Sequence, residues 1–144
     1  MTTKILSVAA IENGTVIDHI PRGVGVRILS HLKLLNERAT IGINLPSNSM
    51  QEKDLIKVER TLTDEEISIV GVLAQNATIN IIENYQVVKK FKLRLPTQIN
   101  GIFTCANRNC VTNHEKVIPI FDVKKQGKVT LTCLFCEKKA YDSH

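Results

Sequence analysis

The chain has no Trp, and its aromatic residues are four Phe and two Tyr among 144 residues. A core without large rings must be aliphatic, so Ile, Leu and Val have to do the packing. No run approaches the ~20 consecutive apolar residues that cross a bilayer, which excludes a membrane-spanning helix. Near the amino terminus one Lys and a short apolar run are followed by Glu12, Asn13 and Gly14, where a secretory signal needs small residues. A cytoplasmic protein is expected. There is no P-loop, G-x-S-x-G, H-E-x-x-H or G-x-G-x-x-G, and Gly23-Val24-Gly25 is a lone glycine pair near a helix start. These absences favour binding over catalysis. There are only four Cys, and in a reducing compartment they are better suited to a metal than to disulfides.

What is present falls into two halves. A hydrophobic fraction of 43% excludes general disorder, and the length suits one ordinary domain or two small ones. Residues 1–88 carry a net charge of −2, whereas residues 89–144 carry +7 and all four Cys. Four thiolates around one divalent cation would lower the second value to about +5, still basic enough that an acidic partner has to be considered.

The first half alternates strand-like and helix-like runs. Residues 4–11 form a short apolar run ending at Asn13-Gly14, a dipeptide suited to a tight turn. Residues 15–20 are β-branched and lead to Pro21, which predicts a helix start. Val24, Ile28, Leu29, Leu32 and Leu35 then recur at helical spacing, as in a helix of about three turns. Residues 39–45 return to β character before the turn cluster Pro46-Ser47-Asn48-Ser49, and residues 54–60 alternate like a half-exposed strand. Thr63-Asp64-Glu65-Glu66 is a capping box ahead of Ile67, Val70, Leu73 and Ala74, predicting a helix to about Gln75. Residues 78–82 and 86–91 read as strands joined at Glu83-Asn84-Tyr85.

From Thr15 the order is therefore β-α-β-β-α-β with an extra strand at each end. That order suits an α+β fold: a ferredoxin-like sandwich of an antiparallel sheet and two helices, domain 1–95. Residues 93–97 mark the boundary. The helical signals stop there, and a remainder of about 50 residues, domain 96–144, is small enough to need a staple. A small all-β metal-binding domain is predicted.

Cys105 and Cys110 form a C-x4-C pair, Cys133 and Cys136 a C-x2-C pair, and 22 residues separate the pairs. Each short loop can offer two thiolates to one metal, and two such knuckles complete the tetrahedron that Zn²⁺ accepts. Four soft ligands leave no position for water, so the zinc would be structural. No βαβ context surrounds Cys133 and Cys136, which argues against a thioredoxin-like role. His114 is placed at a knuckle rim. A basic zinc module also fits nucleic-acid binding, although stacking platforms are scarce, with only Phe91, Phe103, Phe121, Phe135 and Tyr141 available.

Strand parity groups the candidate ligand-holding residues of the first half. Val16 shares a face with Asp18, Lys53 with Lys57, Asn80 with Ile82, and Tyr85 with Val87. Lys57 and Lys90, if they converge, would suit a triphosphate. Asp18 and His19, being adjacent on a strand, are expected to point to opposite faces.

Taken together, Gly14-Thr-Val-Ile-Asp-His-Ile-Pro21, Thr40-Ile-Gly-Ile-Asn-Leu-Pro-Ser47, Lys53-Asp-Leu-Ile-Lys57, Asn84-Tyr85 with Val87-Val88, and the two Cys pairs resemble the regulatory chain of aspartate carbamoyltransferase, in order and over essentially the full length. The resemblance implies an allosteric nucleotide-binding domain, a zinc domain and no active site. It implies dimers that link catalytic trimers, with CTP and UTP inhibiting and ATP activating. Carried over by motif, the nucleotide site comprises Ala10, Ile11, Val16, Asp18, His19, Lys57, Asn80, Ile82, Tyr85, Val87 and Lys90. In it Lys57 and Lys90 meet phosphate, Asp18 and His19 meet ribose and phosphate, and Ile11, Ile82 and Tyr85 hold the base. Asn107, Asn109, Glu137 and Lys138 match positions that contact the catalytic chain. The chain departs from the family at Ile5 and Ala9, where Lys and Glu are common. The alternative to a non-catalytic allosteric subunit is a zinc-ribbon nucleic-acid-binding protein.

Overall fold

The computed structural model describes residues 10–48 and 51–142. Ile5, Ala9 and most of the apolar run over residues 4–11 lie outside them. The chain divides into two compact units between Arg94 and Leu95.

The first unit contains β1 (Gly14–Pro21), α1 (Gly25–His31), β2 (Ala39–Pro46), β3 (Glu52–Val58), α2 (Asp64–Leu73), β4 (Thr78–Glu83) and β5 (Gln86–Lys92). The strands form one antiparallel sheet in the order β2-β3-β1-β4-β5. The first four strands reproduce the ferredoxin-like arrangement read from the sequence, and β5 extends the sheet beyond β4. Cross-strand pairing aligns Ile41, Ile56, Ile17, Ile79 and Phe91 in a single row. Ile56, Ile17 and Ile79, at its centre, are fully buried, and with Ile28 and Leu29 of α1 and Ile69, Val70 and Leu73 of α2 they form the core. Each such side chain removed from water contributes ~1.5–3 kcal/mol.

Local chemistry explains most element boundaries. The Thr63 hydroxyl accepts the Glu66 N–H at 3.2 Å, and the Glu66 carboxylate accepts the Thr63 N–H at 2.9 Å, closing the predicted capping box. The β4–β5 turn places Asn84 and Tyr85 at φ of 52° and 66°, the pair of left-handed residues that matches the strand twist in a two-residue hairpin.

Three expectations need correction. Pro21 ends β1 instead of opening a helix, and α1 begins at Gly25. That helix has two turns, not three, because Lys33 adopts a left-handed conformation and the chain continues as a 3-10 turn over Leu34–Asn36. Leu35, assigned to the apolar stripe, is consequently 73% exposed. Asn13-Gly14 lies at the start of β1, where a Cβ on Gly14 would sit 2.0 Å from the Val58 carbonyl oxygen. Close approach of two strands, more than the demand of a turn, requires glycine there.

The second unit is a meander of β6 (Gln98–Asn100), β7 (Ile120–Gln126), β8 (Lys128–Cys133) and β9 (Lys139–Asp142), paired in sequence order and antiparallel. Its apolar core is small: Ile99, Phe103, Phe121, Val129 and Leu131, with the Cys side chains beside them. Among the described residues its one helical feature is a 3-10 turn over Val111–Asn113.

Candidate binding face and metal centre

On the face of the first sheet opposite the helices, register lines up side chains from four strands. Val16 pairs with Lys57 on one side and Asn80 on the other, and Asn80 pairs with Lys90. Directly opposed residues project to the same side of a sheet. Lys57-Val16-Asn80-Lys90 is thus a single row about 14 Å across, with a cation near each end. A second row contains Asp18 and Thr78, and a third contains Gly14, Ile82 and Val87.

Asp18 and His19 occupy a β-bulge. His19 has φ of 58°, and the pairing of β1 with β3 shifts between Ile17 and Ile20. The expectation that they point to opposite faces fails for that reason: the His19 ring is 3.1 Å from the Thr78 hydroxyl, on Asp18's own face, while the His19 N–H donates to the Asp18 carboxylate at 2.7 Å. Asp18 also holds the Lys53 ammonium at 2.8 Å. Burial raises the Asp18 pKa, but the Lys53 hydrogen bond and the His19 N–H outweigh it and keep the carboxyl below its ordinary range. Burial pushes the Lys57 ammonium down, with Asp18 partly opposing. A partly desolvated cation of this kind has lost hydration that an incoming anion can replace.

The remaining candidates gather at one end of this face. The Tyr85 N–H donates to the Glu12 carbonyl at 2.9 Å and the Asn84 N–H to the Asn13 side chain at 3.3 Å, so residues 12 and 13 lie against the β4–β5 turn. Ile11 is half-buried, with its Cδ1 near Gly14; Ala10 is exposed, as are Tyr85 and Val87. Lys53 and Thr78 were absent from the carried-over set, although parity already placed Lys53 with Lys57 and the same rule aligns Thr78 with Asn80. Asp54 was missed altogether. It is fully buried and accepts N–H bonds from Gly23 and Gly25 at 3.0 Å each and from Asn44 at 3.1 Å, fixing the loop before α1 and the bend of β2.

In the second unit Cys105 and Cys110 lie in the loop after β6, Cys133 ends β8, and Cys136 lies in the turn before β9. All four sulfurs lie within 4.8 Å of one another; Cys105 to Cys136 is 3.6 Å and Cys110 to Cys133 is 3.7 Å. Those separations are far too long for a disulfide of about 2.05 Å. They match the ~3.8 Å edge of a tetrahedron with Zn–S bonds of ~2.3 Å. The donor set therefore fits a closed, four-sulfur metal site.

Hydrogen bonding favours the thiolate at Cys110 and Cys136. The Thr112 hydroxyl, 3.1 Å from the Cys110 sulfur, lowers its pKa. The Asn107 side chain and the Lys138 N–H lower that of Cys136, while burial raises that of Cys105. His114 stays outside the sulfur cluster, its ring donating to the Arg108 carbonyl at 2.7 Å. Asn109, Glu137 and Lys138 are exposed around the knuckles, and Asn107 is half-buried.

Comparison with known proteins follows the same division. Residues 6–94 match the family model described as aspartate carbamoyltransferase regulatory chain, allosteric domain, and residues 97–144 match the corresponding metal binding domain. A relative named aspartate carbamoyltransferase regulatory chain from Aliivibrio salmonicida is 50% identical over 137 residues, covering 92% of this chain and 89% of the relative. Those of the same name from Yersinia enterocolitica and Serratia marcescens are 49% and 48% identical over 138 residues, each covering 93% of this chain and 90% of the relative. With both units matched in order, the chain belongs to the family of aspartate carbamoyltransferase regulatory chains, non-catalytic subunits with an allosteric domain and a metal-binding domain.

Proposed function

We propose that this chain senses nucleoside triphosphates on the outer face of its first sheet and conveys their binding to a catalytic chain of aspartate carbamoyltransferase through a zinc-held second domain. The observation that carries this reading is the row Lys57-Val16-Asn80-Lys90, in which two lysines bracket a half-apolar floor. Lys57 and Lys90 take the phosphates. Asp18 and His19, held together at the bulge, face ribose and phosphate, and Ile11, Ile82 and Tyr85, with Ala10 and Val87 beside them, enclose the base.

CTP and ATP compete for this one site, with UTP adding to CTP inhibition. Their opposite effects require unequal affinity for two states of the assembly, a coupling of typically ~1–3 kcal/mol. Zn²⁺ in the four-sulfur site supplies folding, not chemistry. Asn109, Glu137 and Lys138, together with the exposed apolar side chains Ile118, Leu134 and Phe135, form a surface suited to the catalytic chain. A regulatory dimer is supported by the edge position of β2 among the described strands, where Ile43 is exposed. The assembly works in the cytoplasm, with neither membrane nor nucleic acid as partner.

Calorimetric titration of the full chain tests the site. CTP and ATP should displace one another, and Lys57→Ala or Lys90→Ala should weaken both by at least ~10-fold, the loss of one charge-assisted contact. Oligonucleotide binding that falls steeply with salt would instead favour the nucleic-acid reading. Co-purification with a catalytic chain, lost on adding a zinc chelator, tests the docking.

A further inference from the structure

The two cysteine knuckles are held in shape by different means. Cys133 ends β8 and Cys136 lies in the turn to β9, and main-chain bonds close that turn: the Cys133 N–H donates to the Lys138 carbonyl at 3.0 Å and the Glu137 N–H to the Cys133 carbonyl at 2.8 Å. Cys105 and Cys110 are separated by four residues instead of two, in the irregular stretch between β6 and β7. Within that loop the Cys110 N–H donates to the Asn107 carbonyl at 3.0 Å. A longer loop has more conformations to lose, so backbone bonds alone place its two sulfurs less well.

Side chains supply the rest, and they come from three consecutive residues just past Cys110. The Thr112 hydroxyl is 3.1 Å from the Cys110 sulfur. The Asn113 side-chain amide donates to the Cys105 carbonyl at 3.0 Å and to the Asn107 carbonyl at 2.7 Å, reaching both the first cysteine and the middle of the loop. The His114 ring donates to the Arg108 carbonyl at 2.7 Å. The 3-10 turn over Val111–Asn113 makes this possible: the Asn113 N–H donates to the Cys110 carbonyl at 2.9 Å and folds the chain back over the loop it has just left. A thiolate carries no proton, so once Cys110 is ionised the Thr112 hydroxyl is the donor of that pair.

We propose that this turn is an outer-shell clasp of the metal centre, in which Thr112 orients the Cys110 sulfur and Asn113 pins the loop that carries Cys105, so that the first knuckle keeps both its sulfurs on the ion. The proposal rests on the zinc reading given above, and its test separates the two. Metal content of the full-length chain is measured first. A wild-type chain that holds no zinc removes the zinc reading, and this proposal with it. With one equivalent bound, transfer to an excess of chromophoric chelator is followed at fixed pH in the absence of any catalytic chain, so that a partner contact cannot contribute. Thr112→Val keeps the shape of the side chain but loses the hydroxyl, and should release zinc ~10-fold faster, the scale of effect expected for an outer-shell partner. Thr112→Ser keeps the hydroxyl and should release it at the wild-type rate. Asn113→Ala should also speed release.

Co²⁺ in place of zinc distinguishes a contact with the sulfur from a general loosening of the fold. Losing an O–H donor raises the thiolate donor level, so the sulfur-to-cobalt charge-transfer band should move to longer wavelength in Thr112→Val. It should stay in place in Thr112→Ser, and also in Asn113→Ala, which loosens the loop without removing a sulfur contact. Should Thr112→Val fail to load metal, release and band are read in Thr112→Ala, which removes the same donor with less bulk. Wild-type release in the Asn113 variant or in the hydroxyl-free variant that loads, or an unmoved band in the latter, overturns the proposal while leaving the metal site in place. So does a Thr112→Ser chain that behaves like Thr112→Val.

Discussion

The two units keep their shape by different means. In the first, Ile17, Ile20, Ile28, Ile56, Val70 and Ile79 are all 0% exposed between sheet and helices, a hydrocarbon core that needs no added ligand. In the second, five apolar side chains share the interior with cysteines, too few to stabilise about 50 residues alone. A sheet held by its own core can leave its other face free for polar residues, and Lys57, Asp18, His19 and Asn80 occupy that face. A unit held by sulfur and metal concentrates its stability at one point, so the docking surface proposed for it depends on that point remaining closed.

The largest expected effect divides the units. Stripping metal from the full chain, or changing Cys133→Ser, should unfold the second unit and leave the first intact, because structural zinc contributes an apparent ~10–16 kcal/mol of folding free energy. Residue-resolved hydrogen exchange reads this directly: protection should vanish in β7 and β8 and persist in β1, β3 and β4. Loss of protection in both units would end the comparison. The converse perturbation is Asp54→Ala, which removes the shared acceptor of three N–H donors in the first unit, that of Gly25 buried. It should cost about 3 kcal/mol or more in denaturant unfolding of that unit, with metal content unchanged.

A pH effect in the first unit comes next. Arg60 hydrogen-bonds Glu66 and Glu37, and the Arg60 hydrogen bond holds Glu66 down to about 2 from an ordinary 4.5, against the opposing cost of burial. A carboxyl depressed in the folded state stabilises fully above its unfolded pKa, so this contribution is intact at pH 5 and lost progressively as pH falls from 4.5 toward 2. Glu66→Gln should flatten the stability of the first unit over that window in acid titration. The smallest effect is Thr63→Ala, which opens the capping box and should cost ~1 kcal/mol in thermal unfolding of the first unit.

Much of this is legible in the amino-acid sequence. β-branched runs and, for β3, period-2 alternation identified β1 to β5, the capping box identified α2, and the spacing of Cys105, Cys110, Cys133 and Cys136 marked the metal cluster. The failures share a cause. Pro21 and the stripe to Leu35 were judged by one-dimensional signals, but the burial of Asp54 beneath the loop before α1 and the left-handed Lys33 after it depend on how the helix packs. His19 was misjudged because an unbulged strand was assumed.

Strand alternation and thiol spacing are local properties, readable from neighbours along the chain. They were enough to divide the protein into a sheet with helices and a small sulfur-bound meander, and to say which side chains share a face. Which of those side chains stand opposite one another depends on pairing between segments far apart in sequence, where a single extra residue moves every later partner. Folding therefore set the alignment of Lys57, Val16, Asn80 and Lys90, the turning of His19 onto the face of Asp18, and the closing of Cys105 and Cys110 onto Cys136 and Cys133.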